Sequence, residues 1–398
     1  MAAEWRLFMK RYKTIIITAA VTGIAVLGTQ LLIFRDNIGK LLKINQVLSL
    51  LKDDFYFDVD ENKLTDYALA GMAVATDDPY TNYYSSEQFG RYLGSSENSY
   101  IGIGVVIGIA DDGESIKVVS VMENSPGENA GLLAGDIILE INGEKPESGN
   151  LNSAADKLKG NDIGSEVMLK VRRGNEELNI TVHKDSIEKD TVTSKLLSDS
   201  IGYIRISAFD RRNSADKNSE DTYDEFKAEI DSMQQQGIKK LVLDLRDNPG
   251  GDVKVVSEIA DYILPKGVIT YTEDKHGKRD YIYSDENCID MDMAVLVNGS
   301  SASASEILTG ALKDYNKAKV VGTKTYGKGI VQTIFHLKDG SGISITTSKY
   351  YTPNGVCIHG IGIEPDYNVP LPEGIKKQSY LLEYDEDTQL QKAVEILK

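Results

Sequence analysis

The chain begins with a long apolar run and then changes its pattern of hydrophobic and polar positions three times. Residues 14–34 contain no charged side chain, and their number matches the roughly 20 residues that a helix needs to cross a bilayer. Residues 40–97 carry apolar positions at helical spacing, residues 98–186 are typical of short strands, and the following residues alternate strands with helices. The pattern predicts a multi-domain α/β protein behind an N-terminal apolar segment.

The apolar run at 14–34 is predicted to be an uncleaved membrane anchor. It is longer than the roughly 7–15 apolar residues of a cleavable signal and lacks an A-x-A cleavage site. A cleaved signal peptide, which would give a secreted protein, and a buried core helix remain alternatives. Lys and Arg flank both ends, so charge alone does not fix the orientation. The short basic tail, residues 1–13, favours a cytoplasmic tail with the remaining chain outside the cytoplasm.

The composition is that of a globular protein and disfavours several functional classes. The 398 residues are 41% apolar and carry a net charge of -17, which argues against broad nucleic-acid binding. The two cysteines, Cys288 and Cys357, form no C-x-x-C pair, and the four histidines lie in separate segments. Neither a disulfide scaffold nor a zinc site is therefore expected.

Three strand-to-helix or strand-to-strand junctions could hold a catalytic site. In the first, an apolar strand ends before Asn248 and a turn containing Gly250 and Gly251. Glycines at the end of a strand let backbone N–H groups approach an oxyanion or a phosphate closely. A simple tight turn is the structural alternative.

The second junction, residues 299–315, places four serines in front of a predicted helix. A helix N-terminus stabilises a developing anion, so one of these serines could be a nucleophile. The alternative is a capping box, because Ser303 and Glu306 have the S-x-x-E spacing in which both side chains bond to backbone N–H groups.

The third junction, residues 327–329, nearly matches a phosphate-binding loop. Gly329 replaces the hydroxyl residue that would hold Mg²⁺, and the strand-like residues 330–337 replace the helix that such a loop opens. A nucleotide site is therefore not expected. What remains is Lys328 in a glycine-flanked turn, where burial favours the neutral amine that a general base requires. Serine with lysine is a known variant of the serine–histidine pair.

Residues 98–186 resemble a PDZ domain of the bacterial type. The stretch from Ser125 to Glu144 contains a Pro-Gly turn, a short helix, an apolar strand and an Asn-Gly turn in the order of such domains. The resemblance implies that residues Ile101, Gly102, Ile103 and Gly104 offer N–H groups to the terminal carboxylate of a peptide, which adds to the sheet as a strand. A small β module without ligand is the alternative. The polar linker 184–195 would let this domain move and gate a neighbouring site.

Several motifs in family order make the chain resemble the carboxy-terminal processing peptidases, the tail-specific serine proteases. They are DDPYTNYY, LDLRDNPGG, SASASEI, GKGIVQ, KYYTPNG and GIEPD. The resemblance implies that Ser303 is the nucleophile, that Lys328 is the base and that Gln332 orients the lysine. It also implies an oxyanion hole made by the N–H of Ala304 and one N–H from Gly250 or Gly251.

The same resemblance implies the architecture and the partners. The core, residues 187–368, would be a crotonase-like ββα spiral with the PDZ domain inserted before it, and helical segments at 40–97 and 369–398 would pair two subunits as a homodimer. The substrates would be proteins with exposed C-termini, with no cofactor or metal required. A PDZ scaffold without activity and a lipid- or retinoid-carrier domain on the same fold are the competing hypotheses.

Overall fold

A computed structural model describes residues 5, 38–94, 99–110, 112–122, 124–147, 149–160, 162–188, 190–212, 220–372 and 379–398. The predicted anchor at 14–34 lies outside these residues. Among the residues described, no helix is both long and apolar enough to cross a membrane. The chain divides into two compact units, Met1–Tyr84 and Ser85–Lys398.

The described part of the first unit is mainly helical, as its periodicity predicts. Residues 38–53 form a helix, and helix α1 spans Glu61–Val74. The side chain of Asp60 begins α1 by accepting hydrogen bonds from the N–H groups of Asn62 and Lys63, which satisfies donors that a helix start leaves unpaired. A short strand, β1, follows at Asn82–Tyr84.

The second unit begins with helix α2, Ser86–Gly94, and a small β domain. Five antiparallel strands pair in chain order: β3 Val105–Ile109, β4 Ile116–Val121, β5 Ile137–Ile141, β6 Glu166–Arg173 and β7 Glu176–His183. Two helices accompany them, α3 Pro126–Asn129 and α4 Leu151–Leu158. Buried and exposed positions alternate along β6, so one face of the sheet forms a hydrophobic core.

The chain enters and leaves this β domain at one place. Strand β2, Ser99–Gly102, pairs antiparallel with β8, Asp185–Glu188. The first and last strands of the segment are therefore joined, as in a domain inserted between two others.

The core of the second unit is a six-stranded sheet, ordered β18-β15-β14-β11-β10-β9. Five of its strands run parallel, and β9 is antiparallel. The strands are β9 Val192–Ser198, β10 Ile201–Ile206, β11 Lys240–Asp244, β14 Asp292–Val297, β15 Ala318–Gly322 and β18 Tyr367–Asn368. The continuous apolar run of β11 is buried on both faces, as is usual for parallel sheets covered by helices.

Helices cover both faces of this sheet. Side chains from α5 Thr222–Gln235, α6 Val253–Ile263 and α7 Ala304–Asp314 join one hydrophobic cluster with Leu241 and Leu243. The C-terminal helix α8, Thr388–Leu397, packs with Val242 on the other face. Both α6 and α8 are amphipathic, with buried apolar side chains that recur at helical spacing.

A second antiparallel sheet supplies the third junction. It contains β12 Gly267–Asp274, β13 Arg279–Ser284, β16 Ile330–His336 and β17 Gly342–Tyr351. Strand β17 pairs with both β12 and β16. Lys328 precedes β16 and Gln332 lies on it. A 3-10 turn at Ser379–Leu381 comes before α8.

Candidate active site

The first two junctions meet because β11 and β14 are parallel neighbours whose carboxyl ends share one edge of the sheet. The serine segment bonds directly to the glycine turn. The Ala302 N–H donates to the carbonyl of Asn248 at 3.1 Å, and the Ser305 hydroxyl donates to the same oxygen at 3.0 Å. The Ser301 hydroxyl donates to the carbonyl of Leu245 at 2.7 Å. Two of the serine hydroxyls are therefore occupied in holding the loops together.

Ser303 differs from its neighbours in both backbone and side chain. Its φ is 55°, which is unusual for a residue with a side chain and costs on the order of 1–3 kcal/mol. Ser303 and Glu306 have the capping-box arrangement, but no capping hydrogen bond of good geometry reaches the Ser303 hydroxyl, and the Glu306 N–H donates to the Ser303 carbonyl oxygen at 2.8 Å. The capping box is therefore present, and its well-formed hydrogen bonds are made by the backbone of Ser303 rather than by its hydroxyl.

Gly250 packs against Ser303 so closely that no other residue would fit. Its φ is 108°, and a Cβ atom there would lie 2.9 Å from the Cβ of Ser303 and 3.0 Å from the backbone nitrogen of Ala304. The Gly250 N–H donates to the side-chain oxygen of Asn248 at 2.8 Å. The glycine turn therefore borders the start of α7, where backbone donors lack partners within the helix.

A buried carboxylate that the sequence patterns presented only as a capping partner organises the third junction. Glu306 is 0% exposed. One of its oxygens accepts from the hydroxyl of Thr325 and from the N–H of Gly327. The other accepts from the N–H of Ser303 at 3.0 Å and the N–H of Lys328 at 2.8 Å. Four donors satisfy one buried carboxylate and join the serine turn to the lysine turn.

The turn that contains Lys328, residues 327–329, packs against residues 358–362. The Gly360 N–H donates to the carbonyl of Gly327 at 2.8 Å, and a Cβ atom on Gly329 would lie 2.4 Å from the backbone nitrogen of His359. Glycine at this position thus allows a close approach of two backbones. Lys328 itself is half-buried.

Gln332 and Lys324 complete the surroundings of the turn. The Gln332 Nε2 atom donates to the hydroxyl of Thr346 at 3.1 Å, which fixes the direction of the amide. The ammonium of Lys324 lies 2.8 Å from a carboxylate oxygen of Glu364 and is 49% exposed. Of the two lysines, Lys324 is thus engaged by a surface carboxylate, and Lys328 lies in the turn bound by Glu306.

The four residues predicted to bind a peptide carboxylate are split between a strand and a loop. Ile101 and Gly102 pair with β8, whereas Ile103 and Gly104 form the loop before β3. This loop borders a narrow cavity of about 40 Å³ between β3 and α4, lined by Tyr100, Ile103, Gly104, Val105, Ile107, Ala155, Leu158 and Lys159.

Within the described ranges, no group of three or more His, Cys, Asp or Glu side chains is arranged to hold a metal ion.

Comparisons with known proteins identify the family of the chain. Residues 200–369 match peptidase family S41, residues 117–173 match a PDZ domain, and residues 25–88 match the activating protease CtpB N-terminal domain. A Staphylococcus aureus (strain COL) protein named a probable CtpA-like serine protease is 35% identical over 377 residues, which are 93% of this chain and 73% of that protein. A protein of the same name from Staphylococcus saprophyticus is 34% identical over 90% of this chain and 72% of its own length.

A solved structure shares the fold. The protein from Bacteroides fragilis NCTC 9343 named as an S41 protease superposes with a TM-score of 0.53 at 16% identity, covering 88% of this chain and 96% of that one. The Staphylococcus relatives are 34% and 35% identical to this chain and match at least 90% of its length. The chain therefore belongs to peptidase family S41, as a serine protease of the C-terminal processing type that carries a PDZ domain.

Proposed function

We propose that the protein hydrolyses peptide bonds with a Ser303–Lys328 dyad. The observation that supports this most is the setting of Ser303: its backbone is left-handed, its hydroxyl is not used as a cap, and Gly250 packs against it. A strained residue at the start of a helix, beside a glycine turn, is typical of a nucleophile held ready for attack.

In the proposed reaction, the neutral amine of Lys328 takes the proton of the Ser303 hydroxyl as its oxygen adds to the scissile carbonyl carbon. The carbonyl oxygen becomes an oxyanion. The resulting ammonium then gives its proton to the leaving amine, and the C–N bond breaks to leave an acyl-serine. A water molecule, deprotonated by Lys328, then attacks the carbonyl carbon of this ester. The bond between that carbon and the Ser303 oxygen breaks, the new C-terminus is released, and the lysine ammonium returns the proton to the Ser303 oxygen. Gln332 orients the lysine through its amide oxygen, since its Nε2 atom is directed at Thr346.

The oxyanion would be received by backbone N–H groups of Ala304 and of the glycine turn. The hydrogen bonds favour Gly251 over Gly250 as the second donor, because the N–H of Gly250 already donates to Asn248. The helix dipole of α7 adds positive potential at the same place.

The substrates are proposed to be extracytoplasmic proteins with exposed C-termini, which the PDZ domain binds at residues 101–104. The proposed arrangement has a cytoplasmic tail at 1–13, a single-pass anchor at 14–34 and helical segments at 40–97 and 369–398 that pair two subunits. The PDZ domain would span 98–186 and the protease core 187–368. The uncharged length of the apolar run supports the anchor.

The dyad is tested by incubating a form that lacks residues 1–37 with unfolded casein. The unaltered enzyme is expected to produce fragments, Ser303→Ala none, with a melting temperature close to that of the parent. Ser300→Ala is the matched control, because this neighbouring serine is exposed. A Ser303→Ala variant that cleaves casein as fast as the parent but melts lower would identify Ser303 as a structural residue and refute the dyad.

The anchor is tested separately by fractionation of cells. The full chain is expected in the membrane fraction after alkaline carbonate washing, and a chain without residues 1–37 in the soluble fraction. Externally added protease should degrade the catalytic part in protoplasts. Protection from that protease would contradict the extracytoplasmic location.

A further inference from the structure

The C-terminal helix reaches the end of β11 through a fully buried arginine. Arg246 is 1% exposed. Its guanidinium donates to both carboxylate oxygens of Asp387, at 2.9 and 2.8 Å, and to the side-chain oxygen of Gln389 at 3.0 Å. It also donates to Asp244 at 2.9 and 2.6 Å. Asp387 begins helix α8, so the start of the last helix is fixed to the residue that leads into the glycine turn.

A second, independent contact lies one residue further along the same loop. The hydroxyl and the N–H of Ser379 both donate to one carboxylate oxygen of Asp247, at 2.6 and 3.2 Å. The other oxygen of Asp247 accepts from the side chain of Asn298 at 2.8 Å. Asp247 has a φ of 60°, and such a conformation persists only where the surroundings enforce it.

Both contacts continue directly into the glycine turn. Asn248 is 0% exposed, its side chain accepts the N–H of Gly250, and its carbonyl accepts the hydrogen bonds from the serine segment. The conformation of Asp247 sets the direction in which the chain enters Asn248. Two side chains of the C-terminal segment, those of Ser379 and Asp387, therefore contact the loop that faces Ser303.

We propose that Ser379 and Asp387 are positioning residues of the catalytic centre, which hold the loop 246–251 in the conformation that presents its N–H to the oxyanion. This inference rests on the proposed function, because it assumes that this loop supplies an oxyanion donor.

The contacts are ionic and hydrogen-bonded, which supports a role in positioning the loop rather than in stabilising the fold. Burial lowers the pKa of Arg246, but the carboxylates of Asp244 and Asp387 more than offset this and raise it above its usual value. Burial likewise works to raise the pKa of Asp247, and hydrogen bonds from Ser379 and Asn298 outweigh it and lower the pKa. Buried ion pairs add little stability compared with apolar packing of the same volume, but their directional bonds fix geometry.

Two variants separate this role from helix stability. Asp387 also caps α8 by accepting the N–H of Leu390 at 2.9 Å. Asp387→Ser keeps a capping hydroxyl but is too short to bind Arg246 in the same way. Ser379→Ala removes the hydroxyl contact with Asp247 and leaves the backbone contact. Glu395→Ala, on the same helix and 69% exposed, is the matched control.

The measurements compare a transition-state analogue with a ground-state ligand in the form that lacks residues 1–37. Ser303 adds to the carbonyl carbon of a peptide aldehyde, and the aldehyde oxygen then occupies the oxyanion position. The corresponding peptide alcohol binds without this bond.

Loss of an oxyanion donor lowers kcat by about 100-fold or more. We expect displacement of the loop in Asp387→Ser to lower kcat and aldehyde affinity at least about tenfold, with KM and alcohol affinity within about twofold. Ser379→Ala should show a smaller loss in the same two quantities, and Glu395→Ala no loss.

Each outcome decides between positioning and stability. A lower melting temperature with unchanged kcat and aldehyde affinity in both variants would overturn the proposal. If Asp387→Ser does not fold, Ser379→Ala decides, and an unchanged aldehyde affinity there would equally overturn it. Cleavage by Ser303→Ala would instead show that the proposed function itself is wrong, whatever the C-terminal variants do.

Discussion

The Oε2 atom of Glu306 accepts hydrogen bonds from the backbone N–H groups of both Ser303 and Lys328, at 3.0 and 2.8 Å. One carboxylate oxygen thus connects the proposed nucleophile, at the start of α7, to the proposed base, in the turn before β16. Ser303 precedes a helix of the core and Lys328 precedes a strand of the second sheet, and the buried carboxylate fixes the distance between their backbones.

Glu306→Gln is expected to impair both stability and catalysis. A glutamine amide has one oxygen and one NH₂ group, so two of the four donors around Glu306 would face another donor. An unsatisfied buried donor costs about 1–3 kcal/mol, and a displaced catalytic group lowers the rate by up to about 100-fold. Thermal unfolding and kcat measure the two effects. Glu364→Gln is the control, because this carboxylate is 67% exposed. Unchanged kcat in Glu306→Gln would show that the link does not position the dyad.

The neighbouring serines are expected to be structural. Ser301 and Ser305 are both fully buried and donate to carbonyl oxygens of the glycine-turn loop. Ser301→Ala and Ser305→Ala should each lower the free energy of unfolding by about 1–3 kcal/mol and retain activity at a temperature where the variant is folded. Circular dichroism melts and casein assays test this. Abolished turnover in a folded Ser301→Ala or Ser305→Ala variant would contradict the assignment of Ser303.

If Lys328 is the base, the rate of peptide hydrolysis should depend on pH. Only a neutral amine accepts the serine proton, so the rate of the parent enzyme is expected to rise with pH as Lys328 loses its proton. Lys328→Arg should be inactive, because a guanidinium stays protonated in this range. Lys324→Ala should retain the pH profile, since Lys324 is paired with Glu364 at the surface. The assignment would be reversed if Lys324→Ala were inactive and Lys328→Ala active.

The PDZ domain is expected to lose stability in acid through Asp136. This carboxylate is buried, and the guanidinium of Arg173 donates to both of its oxygens at 2.7 Å. Burial works to raise the pKa of Asp136, but Arg173 and the Leu133 N–H outweigh it and lower the pKa. A lowered folded-state pKa gives stability that is complete above the unfolded value of about 3.9 and is lost as pH falls through the folded value. The melting temperature of the parent should therefore exceed that of Asp136→Asn most at pH 7 and least in strong acid. A difference that does not change with pH would show that the charge of Asp136 is not the cause.

Local patterns predicted the elements of the core well. The apolar run of β11 and the helix after Ser303 both follow from periodicity, and the first two junctions meet because β11 pairs in parallel with β14. The sequence marked Gly250 as a position of close backbone approach, but it did not identify Ser303 as the residue that Gly250 packs against.

Contacts between distant residues could not be predicted in this way. Arg246 and Asp387 are 141 positions apart, and nothing in either segment identifies the other as its partner. Glu306 had the right spacing for a cap, but its bonds to Thr325 and Gly327 depend on how the second sheet packs against α7. The linker 184–195, expected to be loose, includes β8 and the beginning of β9.

That short linker gives the gating hypothesis a structural basis. Strand β8 pairs with β2, which leads into the loop at Ile103 and Gly104. Beyond β8, Thr191 is buried and bonds to Thr222 on α5, with 2.7 Å between the hydroxyls. A peptide strand added at the loop could therefore shift β2, its partner β8 and the segment that follows β8 into the core.

Removing the PDZ domain is expected to change the rate on substrates that the domain cannot bind. Deletion of residues 98–186 takes out β2 together with the first half of β8, and Ile187, the first residue kept after the deletion, is the pairing partner of Tyr100 on β2. If the domain gates the core, kcat on an unfolded substrate with a blocked C-terminus will differ between the full enzyme and the deletion. If the domain only tethers substrates, the deletion will raise KM for the version with a free tail and leave the blocked version unaffected.

Measuring kcat and KM on both versions of one substrate separates the two mechanisms, with Ser303→Ala in each background as the control for contaminating proteases. An identical basal rate on the blocked substrate would exclude gating, because a domain that restrains or activates the core must alter that rate when it is removed.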